Sequence, residues 1–483
     1  MNNEIVQKLV EKYGDRATDS MFERSVYARD LAPVPALLAN MLVKTLPDIV
    51  VRPESTEEVA DIMKTAYANK IPVTPRAGGS TVYFDAVPAK AGILMDLNLI
   101  KGVVAVDEKG MTVKVKAATT FSELDEYLNN RGLALKSFPS SAPAATIGGW
   151  FCMMGYGIGS LKYGSFFSQV KSIEVVLPDG KVQKVTRSTK PPLDWFVSSE
   201  GTLGIITELE IEVRKLEPMR HFLLQVPDAR KMLNTMNEII KSPITPYNLH
   251  VTDQEALKAM HALGFSPANM QTGCLIGVDY EGPEEELKQA EKFINGLSVT
   301  NKVVNPVSEE TAELEWEEKF KALRLKRGGP SVLGSEVWLP IKNLPEYLDD
   351  VQKMCKAYNL GILYSYGHVV TPEYATMMTT FYANETETIK YVFNLSLTKK
   401  IHDIGYRYGG YPYGVGLWNS PMVGRIHPAP ELKELRNRKR TIDSKNIMNP
   451  GKVYRSPLLL NPFNYSLGMN VLAGVRKVIG KGW

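Results

Sequence analysis

Pro72-Val73-Thr74-Pro75-Arg76-Ala77-Gly78-Gly79-Ser80-Thr81 leads from an apolar, strand-like start at Ile71 into a pair of glycines. Glycine lets a backbone bend sharply and approach a ligand closely. Successive amides in such a turn point inward and form an anion nest, which suits a pyrophosphate. One glycine pair alone also fits a plain surface turn. Two further small-residue runs make the pattern more specific: Ala145-Thr146-Ile147-Gly148-Gly149, then Ser199-Glu200-Gly201-Thr202-Leu203-Gly204-Ile205-Ile206-Thr207.

The rest of the chain sets bounds. Its 483 residues allow two or three packed domains. With 44% hydrophobic and 23% charged residues it reads as globular, and a net charge of +4 gives no case for nucleic acid. The three cysteines, Cys152, Cys274 and Cys355, are far apart and offer neither a C-x-x-C zinc site nor an iron–sulfur run. The opening residues read as a short amphipathic helix with acidic side chains and not as a secretory signal. No apolar run approaches the roughly 18 residues needed to span a bilayer. The expected location is the cytoplasm.

Strand-like and helical segments alternate through the first 215 residues. A strand near 48–51 precedes a helix that Ser55 would cap, with Val59, Ile62, Met63 and Ala66 at helical spacing. Further strands are expected at 92–96, 112–117, 173–177, 182–186 and 205–213, with Thr120 or Ser122 capping another helix. This predicts an α/β sandwich in two halves, 1–100 and 101–215. Gly155-Tyr156-Gly157-Ile158-Gly159 follows no clear strand and lacks G-x-G-x-x-G spacing, which argues against a Rossmann site. From about residue 217 longer helices appear, at 229–241, 283–297 and 344–358, separated by strand-like runs such as 271–278 and 335–340. The chain is expected to return to the first domain over 427–456 through a helix at 431–443.

These segments resemble the FAD-binding domain shared by vanillyl-alcohol oxidase and p-cresol methylhydroxylase. The resemblance covers residues 50–213 and resumes at Lys445-Asn446-Ile447-Met448-Asn449-Pro450-Gly451-Lys452-Val453. That run and Glu174-Val175-Val176-Leu177-Pro178-Asp179-Gly180-Lys181-Val182 are most like the D-lactate dehydrogenase and glycolate oxidase flavin-subunit branch. The resemblance implies an α+β architecture: a two-lobed FAD-binding domain of p-cresol methylhydroxylase type, 1–215 with 427–456, and an α+β substrate cap, 216–426. It implies FAD as cofactor. Arg76, Ala77, Gly78, Gly79, Ser80 and Thr81 would cover the pyrophosphate. Pro139, Ser140, Ser141, Ala145, Thr146, Gly148 and Gly149 would form a second wall. Gly157, Ser160, Tyr163 and Gly164 would lie along the ring, and Glu200, Gly201, Gly204 and Ile206 at the adenosine end. Asn449 and Lys452 come from the C-terminal run. The first loop holds no histidine or cysteine, so noncovalent FAD is expected.

The hydroxy-acid branch carries a G-H-x-G-D-x-N-x-H run and a G-E-H-G turn in its cap, which bind a metal or the substrate hydroxyl and supply a basic histidine. This chain departs from both. Gly367-His368 keeps only the start of the first, and Pro412-Tyr413 stands where the second has glutamate and histidine. No metal site is expected. Tyrosines cluster instead, Tyr411 and Tyr413 among them, either as packed aromatics or as hydrogen-bond donors and acid–base groups. Arg324 and Arg327 stand where relatives place a carboxylate-binding arginine, and a solvated helix end is the other reading. The candidate catalytic residues are therefore Tyr413, His368, Tyr411, Arg324 and Arg327.

The resemblance implies an FAD-dependent dehydrogenase that takes hydride from a 2-hydroxy acid and passes electrons to an iron–sulfur or electron-transfer flavoprotein subunit. The tyrosines leave open a phenolic or other aromatic alcohol, and the lost histidine leaves open an electron-transfer subunit with no substrate of its own. Residues 457–483 lie past the resemblance, carry basic and no acidic side chains, and place Leu467, Val471, Leu472, Val475, Val478 and Ile479 on one helical face. They would form a docking tail for a partner or an anionic membrane face, or pack on the protein's own body.

Overall fold

The computed structural model describes residues 1–264, 272–300, 304–320 and 322–480. Gln271, where one strand is expected to begin, and the tail residues 481–483 lie outside them. The chain divides into two compact units. One comprises Met1–Gly155, Phe166–Lys215 and Gly414–Tyr465; the other comprises Tyr156–Ser165, Leu216–Tyr413 and Ser466–Trp483.

The first unit holds two sheets. β1 (Ala17–Thr18), β2 (Ile49–Val51), β3 (Val73–Arg76) and β4 (Ile93–Asp96) lie in the order β1-β2-β4-β3, with β2 and β3 both parallel to β4. Parallel strands need a crossover. The helix Thr56–Asn69 provides it between β2 and β3 and buries Val59, Ile62, Met63 and Ala66. Ser55 caps that helix by accepting from the Glu58 amide at 3.3 Å. The second sheet is antiparallel: β5 (Val103–Asp107), β6 (Thr112–Lys116), β7 (Leu133–Leu135), β8 (Val170–Val176), β9 (Val182–Val185) and β10 (Ile205–Lys215), with the path β5-β6-β10-β8-β9 and β7 paired to β10. Thr120 and Glu123 form a reciprocal capping box on the helix Phe121–Asn129.

The chain rejoins this unit at Gly414, earlier than the expected residue 427. Buried contacts explain the difference: the amides of Val415 and Gly416 donate to Glu200, and Val453 N donates to the Gly416 carbonyl. The C-terminal run then docks on β3, with Val73 N donating to Ile447 O and Asn449 N to Val73 O, each at 2.8 Å.

The second unit is one antiparallel sheet: β11 (Met219–Val226), β12 (Asn248–Thr252), β13 (Cys274–Glu281), β14 (Asn305–Pro306), β15 (Ser331–Pro340), β16 (Leu363–Val369), β17 (Tyr374–Ala383) and β18 (Tyr411–Pro412), in the order β14-β11-β13-β12-β16-β17-β15-β18. Alternation along the pleat separates two faces. One carries Leu249, Val251, Ile276, Val278, Val337 and Met377 and is covered by helices. From the helix Leu344–Ala357, Tyr347 Oη reaches Thr379 Oγ1 at 2.7 Å, and Ser335 Oγ donates to Thr398 O of the helix Thr388–Arg407 at 2.8 Å. The opposite face carries the polar and aromatic residues described below. The last helix, Pro462–Ile479, buries Met469 and Ala473, and its Arg476 Nε donates to Asn394 Oδ1 at 2.8 Å.

Candidate functional site

The glycine runs of the first unit come together at the end of β3. A Cβ on Gly78 would lie 2.1 Å from the Ala144 carbonyl oxygen, so this loop touches the 139–145 turn backbone to backbone. Gly79 adopts φ +59°, and a Cβ there would meet the Arg76 guanidinium at 2.6 Å. Arg76 Nη1 donates to the Ala86 carbonyl at 3.3 Å and its guanidinium sits over the Tyr27 ring, so it fixes its own loop. In the second wall Thr146 Oγ1 accepts from Gly149 N at 3.3 Å, while Gly148 packs on Ala117 and donates to its carbonyl at 2.8 Å. The turn through Pro139, Ser140, Ser141 and Ala145 closes with Ala142 N donating to Pro139 O and Ala145 N to Ser141 O.

The third run has packing reasons. Gly201, at φ +70°, leaves room for Pro75, and Gly204 leaves room for Val175. Ile206 is buried in β10. Glu200 is buried in a knot of charge that the sequence does not announce. Its carboxyl accepts from Val415 N at 3.1 Å and Gly416 N at 2.6 Å. Asn449 Nδ2 donates to the Glu200 carbonyl at 2.9 Å. Lys452 Nζ donates to Asn449 Oδ1 at 2.6 Å and to the carbonyls of Asp85 and Val87 at 2.5 Å. Thr81 Oγ1 donates to Asp85 Oδ2. Burial, then the charge of Asp85, pushes the Glu200 carboxyl well above its usual range. Burial likewise lifts Asp30 to about 7 and pulls Lys452 down to about 8 against the attraction of Asp85, Asp30 and Glu200.

The short segment Tyr156–Ser165 belongs to the second unit. Gly157 N donates to Ser160 Oγ at 2.9 Å, Tyr163 Oη donates to Glu281 Oε1 at 2.5 Å, and Gly164 adopts φ +78°. Tyr413 Oη accepts from Tyr156 N at 2.9 Å and donates to Tyr156 O at 3.1 Å, so this tyrosine anchors the segment.

On the polar face of the second sheet, register places His250, His368, Thr376, Trp338 and Tyr411 in one row across β12, β16, β17, β15 and β18. Tyr411 stacks on Trp338 with centroids 6.1 Å apart, and Tyr156 meets Trp338 edge-on at 4.6 Å. Burial pushes the Tyr411 phenol up to about 12, which makes it a donor and not a base. His250 Nε2 pairs with Glu315 at 3.0 Å. Burial alone would pull His250 down, but Glu315 outweighs it and lifts the imidazole to about 9. Its Nδ1 lies 3.3 Å from Asn248 Nδ2, outside the roughly 2.7–3.2 Å of strong bonds, so Glu315 governs it. His368 Nδ1 meets Asn248 Oδ1 at 3.0 Å. Burial, then the charge of His250, pushes His368 down to about 3.

The structure thus gathers His368, Tyr411 and Tyr413 on one sheet face. Arg324 pairs with Glu318 at 2.8 Å, and Arg327 is exposed at the end of the 3-10 turn Ala322–Gly328. Asn248, His250, Asp279 and Glu315 escape motif reading; their signal is polar residues alternating with apolar ones on buried strands, as in Asn248-Leu249-His250-Val251. Among the described residues no group of three or more His, Cys, Asp or Glu side chains is placed to hold a metal ion, and no helix is long and apolar enough to cross a membrane.

Residues 47–186 match the family described as FAD binding domain, and residues 215–453 match FAD linked oxidases, C-terminal domain. The glycolate oxidase subunit GlcD of Bacillus subtilis is 24% identical over 94% of this chain and 97% of its own length. The mitochondrial D-lactate dehydrogenase (cytochrome) of Arabidopsis thaliana is 24% identical over 84% of this chain and 73% of its own. Among solved structures, p-cresol methylhydroxylase with substrate bound superposes with a TM-score of 0.79 at 16% identity, covering 94% of this chain and 97% of that one. The cradle suits a dinucleotide. Gly78 is exposed yet leaves no room for a Cβ against the second loop, and Gly79 adopts a positive φ that side chains disfavour.

Proposed function

The chain belongs to the FAD-linked oxidases, and on that premise we propose that it is a dehydrogenase for a 2-hydroxy acid of the lactate or glycolate type. The observation that carries this reading is His368: a neutral imidazole on the polar sheet face, held through Nδ1, in a chain whose similarity to a glycolate oxidase subunit runs nearly end to end. FAD, when bound, accepts the hydride at N5 and hands on the electron pair. In the first unit, the loop Arg76 to Thr81 and the walls through Pro139 to Ser141 and Ala145 to Gly149 would hold it, with Asn449 and Lys452 bracing the base of that loop through Asp85. In the second unit, His368 accepts the substrate hydroxyl proton at Nε2 as the C–H pair leaves. Tyr411 donates a hydrogen bond to the substrate, and Tyr413 keeps the Tyr156 segment in place.

One observation favours an aromatic alcohol instead: the aromatic wall of Tyr156, Trp338 and Tyr411 on the same sheet face as His368, across Thr376. Such a wall binds a ring by stacking. Electrons would leave to an iron–sulfur or electron-transfer flavoprotein subunit, with the exposed side of the last helix as the docking surface there or on a membrane face.

Anaerobic bleaching of the bound flavin tests the reading. D-lactate, glycolate, a longer 2-hydroxy acid and 4-hydroxybenzyl alcohol would each be mixed with the purified protein. Bleaching by a 2-hydroxy acid supports the proposal. Bleaching by the aromatic alcohol alone moves it to the second reading, and bleaching only by a reduced partner protein leaves an electron-transfer subunit.

A further inference from the structure

A chain of hydrogen bonds crosses four strands of the second sheet. His221 Nδ1 on β11 meets Asp279 Oδ1 on β13 at 2.7 Å. Asp279 Oδ2 accepts from Asn248 Nδ2 on β12 at 2.7 Å. Asn248 Oδ1 meets His368 Nδ1 on β16 at 3.0 Å. Asn248 and Asp279 are 3% and 2% exposed, so neither can turn to water for another partner. His221 is held in turn by Trp316, stacked on it at 4.7 Å.

The bonding roles follow from the first carboxylate. An ionised carboxylate only accepts. Asn248 must therefore present its NH₂ to Asp279, which leaves its carbonyl facing His368. A carbonyl only accepts, so the His368 nitrogen opposite it must carry the hydrogen. In a neutral imidazole the other nitrogen is then a bare lone pair.

We propose that Asn248 is a positioning residue: through its bond to Asp279 it holds His368 as the Nδ1–H tautomer and leaves Nε2 as the atom that accepts the substrate proton. The hydrogen on Nδ1 follows from the bonding geometry; the catalytic use of Nε2 rests on the proposed function. Burial and the neighbouring His250 charge keep His368 neutral, with Glu315 opposing. The titratable groups around this chain are His250 on β12, Asp279 on β13, His221 on β11, and Glu313 and Glu315 on the helix Glu309–Glu317. His368 takes the substrate hydroxyl proton at Nε2, and the hydride acceptor is the flavin of the proposed reaction.

The test is two-bond ¹H–¹⁵N correlation on the FAD-loaded, full-length protein with ¹⁵N-labelled histidine, His368 being assigned from the signals lost in His368→Gln. Between pH 6 and 8 the wild type should show Nδ1 protonated and Nε2 bare. In Asn248→Leu the pattern should invert to Nε2–H, the form free imidazole prefers, or His368 should begin to titrate in this range. Asn248→Asp, which keeps an acceptor for Nδ1–H but adds a carboxylate, should keep the hydrogen on Nδ1 and raise the pH at which Nε2 takes a proton. If the leucine variant does not fold, Asn248→Ala makes the same comparison without added bulk. With a substrate that bleaches the flavin, the leucine variant should lose ten-fold or more in the reduction rate constant with little change in substrate Kd, and the aspartate variant should recover most of it only toward high pH, where its Nε2 is bare. A wild-type His368 protonated on Nε2, or a pattern unchanged in both apolar variants, would overturn the proposal. The spectrum needs no substrate. A correct tautomer without bleaching by hydroxy acids would thus sink the proposed reaction and leave the positioning role of Asn248 standing.

Discussion

Gly277 lies directly beneath the imidazole of His250: the two are register partners between β13 and β12, and a Cβ on Gly277 would come within 1.9 Å of the His250 ring. A strand-interior glycine is unfavourable by itself and marks a close approach. Here the approach seats His250 against Glu315. Gly277→Ala is therefore expected to drive the ring off its carboxylate. The cost should be about 1–3 kcal/mol, as for overpacked sites. Urea denaturation against the wild type measures it, and an alanine variant as stable as the wild type would show that the ring moves freely.

The same ion pair gives a pH signature. His250 is lifted from 6.5 to about 9 in the folded protein. Its contribution is fully present below pH 6.5 and is lost as pH rises from 6.5 through 9. The shift corresponds to a few kcal/mol at most. Thermal midpoints should fall across this window in the wild type and fall less in Glu315→Gln, which removes the charge that lifts His250. His368, pushed down to about 3, acts in the opposite window: it costs stability as pH drops below 6.5, so the two histidines separate by pH. Equal slopes for wild type and Glu315→Gln between pH 6.5 and 9 would contradict the pairing.

Glu200 makes a contrasting case. A carboxyl raised by burial and by Asp85 holds its proton more tightly in the folded protein than in the unfolded chain, so its contribution is present at low pH and is lost as pH rises above 4.5 through the folded value. The Val415 and Gly416 amides donate to different oxygens of this carboxyl; glutamine has a single oxygen, so it accepts from one amide and turns its NH₂ toward the other. Glu200→Gln is expected to flatten that slope and to cost about 1–3 kcal/mol for the one amide left unpaired, whereas Glu200→Ala leaves both buried amides unpaired at about 1–3 kcal/mol each. Chemical denaturation at two pH values separates these outcomes.

The glycine runs that meet at the end of β3 were legible in the sequence because they are local. Gly78, Gly79, Gly148 and Gly149 announce themselves as adjacent small residues, and Ser55 and Thr120 stand where they cap helices. The charge knot was not legible. Asp30, Asp85, Glu200 and Lys452 come from four distant stretches, and only folding makes them neighbours. The polar sheet face was half legible. His368 carried a remnant of a motif, but Asn248, Asp279 and His250 become a network only through strand register, which no spacing along the chain encodes. Gly414 as the point of return was hidden for the same reason, since its anchor is the carboxyl of Glu200.

Gly78 offers the sharpest test of the cradle. Its missing Cβ faces a backbone carbonyl, Ala144 O at 2.1 Å, and a backbone atom cannot swing aside as a flexible side chain can. Gly78→Val is expected to yield folded protein with less than a tenth of the wild-type flavin, read as the ratio of absorbance near 450 nm to that at 280 nm. Acid precipitation of the wild type should release the flavin into the supernatant, because the first loop offers no histidine or cysteine for attachment. Yellow pellets would reveal a covalent link.

The last helix makes an opposed pair of predictions. Met469 and Ala473 are buried, while Phe463, Leu467, Val471 and Val478 are 73%, 53%, 55% and 74% exposed. A helix that is apolar on both sides is ordinarily covered on both. Met469→Ala should destabilise the protein by about 2 kcal/mol or more through lost packing. The double change Leu467→Ser with Val471→Ser removes only exposed apolar area, so thermal unfolding should move by less than about 0.5 kcal/mol. If the exposed side docks, the same double variant should lose flotation with vesicles containing phosphatidylglycerol or co-purification with an electron-accepting subunit. If it unfolds as readily as Met469→Ala and associates as the wild type does, the stripe belongs to the protein's own core and the docking surface lies elsewhere.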